Sequence, residues 1–169
     1  EETLTLLENL GQTTITEQNT GNYIIQLKDT DDNPYEYTPI TVEFKNQNYT
    51  ITTNENGIAY YPVTCKAGTY NITITYKNYT NHDTITVKPS PINIDIKDIL
   101  AGQTEIITVT LANNATGNIT FTLDNTPYNR TLTNASTVLE VPNLSLGLHN
   151  LTITYSGDKN FINQTITQT

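Results

Sequence analysis

Thr53 to Tyr76 reads TNENGIAYYPVTCKAGTYNITITY: a turn, a strand, a second turn and a second strand. The scheme returns in Thr133–Tyr155, TNASTVLEVPNLSLGLHNLTITY. NITITY of Asn71–Tyr76 comes back as NLTITY of Asn150–Tyr155 at an offset of 79, and Gly68 falls on Gly147 at the same offset. Thr53-Asn54 falls on Thr133-Asn134 at an offset of 80, so one residue is gained or lost between the anchors. A repeat of that length is one small β domain, longer than the roughly 20–50 residues of a solenoid unit. Within the stretch, Ala59, Tyr61, Val63 and Cys65, and then Tyr70, Ile72, Ile74 and Tyr76, alternate with polar neighbours. That is the period of half-buried strands. It reads as a core hairpin whose two apolar sets face each other while Asn71 points outward.

Outward from this stretch, strands recur about every ten residues, the spacing of a β-sandwich. Thr13–Thr16, Tyr23–Leu27, Ile40–Phe44, Tyr49–Thr53 and Ile85–Val87 complete the first half. Gln47-Asn48 reads as a turn, and Asn56-Gly57 supplies the positive φ of another. Ile92–Ile96, Ile107–Leu111, Ile119–Leu123, Thr131–Thr133, Val138–Val141 and Phe161–Thr167 complete the second half. Ile119-Phe121-Leu123 match Ile40-Val42-Phe44 at the offset of 79, a second anchor for the repeat. Pro89-Ser90-Pro91 removes ladder donors and favours a stiff, extended link. The expected domains are 1–88, with a lead-in segment 1–11, and 89–169. In the lead-in, Leu4, Leu6, Leu7 and Leu10 suit a helix turn, a strand or the tail of a preceding module equally.

Composition narrows the function. Apolar residues are 36% and charged residues only 15%, while 34 Thr and 22 Asn fill the difference. Thr favours strands and Asn favours turns. A net charge of −9 with eight basic residues spread along the chain argues against nucleic acid and against anionic membranes. No apolar run is long enough to span a bilayer. With no Met and no signal peptide, the chain reads as processed or excised. One cysteine permits no internal disulfide.

Candidate chemistry is sparse. His82 sits in an Asn-rich stretch and reads as a turn residue. His149 takes the place of Tyr70 in the repeat and reads as a half-buried strand residue. Cys65 falls on an inward face. A nucleophile needs a base within reach, and these spacings promise none, so the expectation is no enzyme. Asp29, Asp31 and Asn33 alternate along the loop Asp29–Thr38 as oxygen ligands for calcium would. The loop lacks the glycine and the closing bidentate Glu of an EF-hand, so a solvated loop is the other reading and no cofactor is assigned. Tyr35 and Tyr37 in the same loop are candidate contacts for a protein or sugar. Asn-X-Ser/Thr occurs at Asn48, Asn71, Asn78, Asn114, Asn118, Asn129, Asn134, Asn143, Asn150 and Asn163, against about five expected by chance at this composition. These are glycosylation candidates, with Asn/Thr-rich composition as the alternative source. Lys28 and Gln164 could be cast in isopeptide or ester cross-links, with no partner assignable.

Leu27–Pro34 (LKDTDDNP), Thr53–Ala59 (TNENGIA), Lys66–Tyr70 (KAGTY), Pro142–Gly147 (PNLSLG) and Thr154–Asn160 (TYSGDKN) resemble the adhesin-like surface proteins of methanogenic archaea, built from bacterial-type immunoglobulin-like repeats. The resemblance spans about residues 12–169. It departs at Cys65, where the repeats carry an aliphatic residue, and in the tyrosine-rich first half. It implies two tandem immunoglobulin-like β-sandwiches, all-β, joined by the Pro-Ser-Pro linker. It also implies export, display at the cell surface, and adhesion to a surface protein or glycan of another cell, with further repeats of the same chain alongside. It supplies no catalytic residue. A pure structural spacer and the accessory domains of a surface enzyme are the alternatives.

Overall fold

The computed structural model describes residues 5–11 and 14–169. Leu4 and Thr13 of the sequence reading lie outside them. Two compact units, Glu1–Lys88 and Pro89–Thr169, divide the chain. The described residues form strands and loops without a helix.

The first unit contains β1 (Thr5–Asn9), β2 (Thr14–Thr16), β3 (Gly21–Asp29), β4 (Pro39–Phe44), β5 (Gln47–Thr52), β6 (Ile58–Val63), β7 (Gly68–Tyr76) and β8 (Tyr79–Lys88). One sheet has the order β1-β3-β6 and the other β2-β8-β7-β4-β5. Alternation places Tyr23, Ile25 and Leu27 of β3 and Ala59, Tyr61 and Val63 of β6 in the core, opposite Ile40, Val42, Ile72, Ile74, Ile85 and Val87. The lead-in is a strand: β1 runs antiparallel to β3, and Asn81 Nδ2 donates to Leu7 O at 2.9 Å. Asp83 accepts from Tyr23 OH and Asn9 Nδ2, each at 2.9 Å, which ties the two sheets together.

The second unit contains β9 (Asn93–Asp95), β10 (Glu105–Thr110), β11 (Asn118–Leu123), β12 (Thr126–Thr131), β13 (Ser136–Val141), β14 (Leu151–Tyr155) and β15 (Gln164–Gln168). Its sheets are β13-β10-β9 and β12-β11-β14-β15. Ile107, Val109, Ile119, Phe121, Leu139, Ile153 and Tyr155 fill its core. Both units are all-β sandwiches of immunoglobulin-like type.

Several local expectations change. The stretch Thr53–Tyr76 is not a hairpin. β6 pairs with β3, and β7 pairs with β4 and β8, so the two apolar sets face each other across the sandwich from opposite sheets. Thr64–Ala67 carries the chain between them. The β4–β5 turn is Lys45-Asn46, not Gln47-Asn48; both turn residues have positive φ, at 52° and 59°. Such a primed turn matches the twist of a two-residue hairpin. His82 lies within β8 opposite Thr73, not in a turn, and His149 precedes β14 instead of lying in a strand. Of Thr131–Thr133 only Thr131 lies in a strand, as the last residue of β12, an edge strand that pairs with β11 from Thr126 onward.

The pairing also accounts for the slipped offset. Leu27 N–H donates to Gly57 O, and Leu111 N–H donates to Ala135 O, so Gly57 and Ala135 are equivalent at an offset of 78. The turn is therefore two residues shorter in the second unit, and the following connection is one residue longer.

Candidate functional site

The loop Asp29–Thr38 is held by side chains at both ends. Asp29 Oδ1 accepts from the N–H groups of Asp31 and Asn33, each at 2.9 Å. Asn33 Nδ2 donates to Asp29 Oδ2 at 3.0 Å. The Asn33 side-chain amide, with these backbone donors, holds the Asp29 carboxyl below its ordinary range. Lys28 Nζ pairs with Asp32 at 2.8 Å. At the far end Thr53 is the hub: its buried hydroxyl donates to Tyr35 O at 2.5 Å and accepts from Thr38 N–H at 2.8 Å. Sequence reading missed Thr53 because its repeat mate Thr133 is exposed and has no such loop to hold.

The two loop tyrosines diverge. Tyr35 packs against the core with its ring 5.6 Å from that of Tyr76. Tyr37, at φ 45°, is 66% exposed. The calcium candidates Asp29, Asp31 and Asn33 form a hydrogen-bonded turn in which both Asp29 oxygens already face N–H donors. Among the described residues no group of three or more His, Cys, Asp or Glu could hold a metal ion.

Cys65 is buried, and burial pushes its thiol pKa up, the opposite of what a nucleophile needs. His82 Nδ1 meets Thr73 Oγ1 at 3.1 Å on the exposed face of β8. The structure therefore does not bring the Cys and His residues together as catalytic partners.

His149 and Tyr70 are equivalent after all, in role though not in strand. Tyr70 OH donates to Lys66 O, and His149 Nε2 donates to Ser145 O, each four residues back. The neighbour changes sign. Lys45 Nζ lies 4.8 Å above the Tyr70 ring, whereas its counterpart Asp124 takes His149 Nδ1 at 2.5 Å. With an acceptor at each nitrogen, the surroundings of His149 favour the imidazolium over the neutral ring. The Asp124 hydrogen bond is the main reason that the His149 pKa rises and the Asp124 pKa falls. The raised His contributes stability below its unfolded value of about 6.5 and loses it as pH rises through the folded value. The lowered Asp contributes above its unfolded value of about 3.9 and loses it as pH falls through the folded one. The tie is therefore complete between about pH 4 and 6.5. An NMR titration of the His149 ring is expected to give a pKa above 6.5, returning to the ordinary range in Asp124→Asn.

All ten sequon asparagines are exposed. On β11 and β12 they join an outward ladder: Thr131 Oγ1 donates to Asn118 Oδ1 at 3.0 Å, and Thr120 Oγ1 donates to Asn129 Oδ1 at 2.8 Å. Lys28 is paired with Asp32, and Gln164 Nε2 donates to Ser90 O at 2.8 Å.

These units belong to the immunoglobulin-like class of β-sandwich. Residues 95–169 match the family model of the bacterial Ig-like domain (group 3). No curated protein matches the sequence. Among solved structures, red sea bream transglutaminase is similar at 9% identity and a TM-score of 0.50, covering 96% of this chain and 30% of that one. The I9–I11 tandem from titin is similar at 14% identity and a TM-score of 0.43, covering 98% and 64%. Salmonella alpha-2-macroglobulin is similar at 12% identity and a TM-score of 0.41, covering 97% and 14%. The chain thus spans between 14% and 64% of these structures' lengths. At such identities the likeness concerns fold alone.

Proposed function

We propose that the two units are a non-catalytic, surface-displayed part of an adhesin-like protein, and that the first unit makes contact through the loop Asp29–Thr38. The supporting observation is the state of that loop. Asp29 and Thr53 fix its backbone from both ends, while Tyr37, beside the end that Thr53 holds, stands 66% exposed. A preorganised loop loses little entropy when a partner arrives. A tyrosine offers an apolar face and a hydroxyl together, which suits a surface protein or a glycan. The exposed sequons and the Thr-rich outer faces fit display outside the cell, where glycans would shield the strands from proteases.

Attachment of beads coated with this chain to whole cells, and to a glycan array, tests the reading. Tyr37→Ala is expected to cut attachment at least about tenfold, the scale of one hot-spot contact, with the melting midpoint unchanged. Tyr35 is left in place because its ring packs on Tyr76 and the core. Attachment of Tyr37→Ala equal to that of an attaching parent chain would move the contact away from this loop, and a parent chain that attaches to nothing would make the pair a spacer without a ligand.

A further inference from the structure

Two closed turns in the second unit carry leucines that face water. In one, Gln103 N–H donates to Leu100 O at 3.1 Å and Leu100 N–H donates to Gln103 Oε1 at 2.9 Å. In the other, His149 Nε2 is tied to Ser145 O. Leu100, Leu146 and Leu148 stand largely exposed on these turns. All three line one groove of about 410 Å³, together with Leu123 and Leu144. That volume is within the range of clefts that take a small molecule. Exposed apolar side chains on turns already fixed by hydrogen bonds lose little further freedom when a ligand covers them.

The groove also holds a carboxylate. Glu105 lines it from the inward face of β10, with only 5% of the residue exposed. Its Oε1 accepts from its own neighbour, Ile106 N–H, at 3.1 Å. Among the described residues Oε2 accepts from nothing, and no side-chain oxygen without a partner is sealed from solvent. Oε2 therefore faces the groove. A carboxylate among apolar walls is costly until a donor reaches it. The cations in the lining do not: among the described residues neither Lys97 nor His149 forms an ion pair with Glu105. His149 is matched by Asp124, and Lys97 is matched in number by Asp98 beside it. Among the side chains of the lining this leaves the charge of Glu105 uncompensated.

We propose that this groove binds a small organic cation: a primary ammonium that donates to Glu105 Oε2, carried on an aliphatic body that lies against Leu144 and the exposed leucines of the two turns. The head group supplies both things that Oε2 lacks, a donor and an opposite charge. A charge-assisted hydrogen bond of this kind is roughly twice as strong as a neutral one. A neutral alcohol of the same length offers a donor without the charge, and a fatty carboxylate is repelled. The body covers Leu100, Leu146 and Leu148, which the fold itself leaves in water. The inference does not depend on the adhesive reading.

The test titrates hexylammonium, hexanol and hexanoate into the whole chain. NMR follows the Ile106 amide, whose N–H is bound to Glu105 Oε1, and the methyls of Leu146 and Leu148. Hexylammonium is expected to shift these signals to saturation, hexanol to bind at least about tenfold more weakly, and hexanoate to shift nothing. Glu105→Gln keeps the side chain's shape and removes its charge. It is expected to bring hexylammonium down to the level of hexanol without lowering the melting midpoint. Equal affinity of the parent chain for hexylammonium and hexanol overturns the proposal, as does the absence of a saturable shift with hexylammonium. Neither result requires the variant to fold. A folded Glu105→Gln that still prefers the ammonium overturns it too.

Discussion

Gly57→Ala is expected to destabilise the first unit by about 3 kcal/mol. Gly57 has φ +71°, and a Cβ built there would lie 2.5 Å from Leu27 O and 3.0 Å from Pro34 Cβ. The positive φ alone costs about 1–2 kcal/mol for an L-residue. The contact costs more because Leu27 O cannot retreat: Tyr35 N–H holds it at 3.0 Å, and Leu27 N–H is itself bound to Gly57 O at 2.9 Å. Relieving the clash therefore strains two backbone bonds at a fully buried residue, a further cost of about 1–2 kcal/mol. The second unit provides the control. Ala135, the equivalent of Gly57, has φ 59° and is accommodated where no counterpart of the Asp29–Thr38 loop presses on it. Ala135→Gly is expected to change stability by less than about 1 kcal/mol. Urea unfolding followed by tyrosine fluorescence checks both, since nine of the eleven tyrosines lie in the first unit. A Gly57→Ala midpoint equal to the parent's would mean that the loop yields freely, and would count against its being preorganised.

The inside face of nearly every strand was legible, and the strand partners were not. Alternation at Tyr23-Ile25-Leu27 or Ile119-Phe121-Leu123 reports which side of a strand meets the core. It carries no information about which strand lies beside it. Ala59–Cys65 and Tyr70–Tyr76 therefore looked like one hairpin, although Thr64–Ala67 moves the chain to the opposite sheet. β12 was hidden for a different reason: as an edge strand it buries little, with Tyr128 only half-covered, so its pattern has no apolar contrast. At the candidate site the exposed Tyr37 was legible from its loop. Thr53 was not, because its duty depends on backbone groups of Tyr35 and Thr38, which the fold brings to it from 18 and 15 residues away. Glu105 was invisible as well: an inward carboxylate contradicts the pattern that identifies the rest of β10.

Asp158→Ala is expected to destabilise the second unit by about 3 kcal/mol at neutral pH, and by less in acid. The carboxylate organises the turn after β14. Oδ2 accepts from Thr116 N–H at 2.8 Å and Thr116 Oγ1 at 3.0 Å, and Oδ1 accepts from Asn160 N–H at 2.7 Å and Phe161 N–H at 2.8 Å. Phe161, placed by this turn, is buried in the core, and Tyr155 OH caps Thr116 O at 2.8 Å from the other side. Burial pushes the Asp158 pKa up, but the four donors outweigh it and bring the value down to about 2. A lowered folded pKa contributes stability that is complete above the unfolded value of about 3.9 and disappears as pH falls through the folded one. Solvent screening at this half-buried group limits the titrating share to about 1 kcal/mol. The rest of the loss comes from the turn's unsatisfied donors and the loosened Phe161, and it does not titrate. The gap between parent and Asp158→Ala is therefore expected to hold constant from pH 7 to 5 and to narrow by about 1 kcal/mol between pH 4 and 2. A gap independent of pH throughout would show that Asp158 acts by shape rather than by charge. The first unit, whose Tyr79 stands where the repeat offset puts Asp158, should unfold at the same midpoint in both proteins.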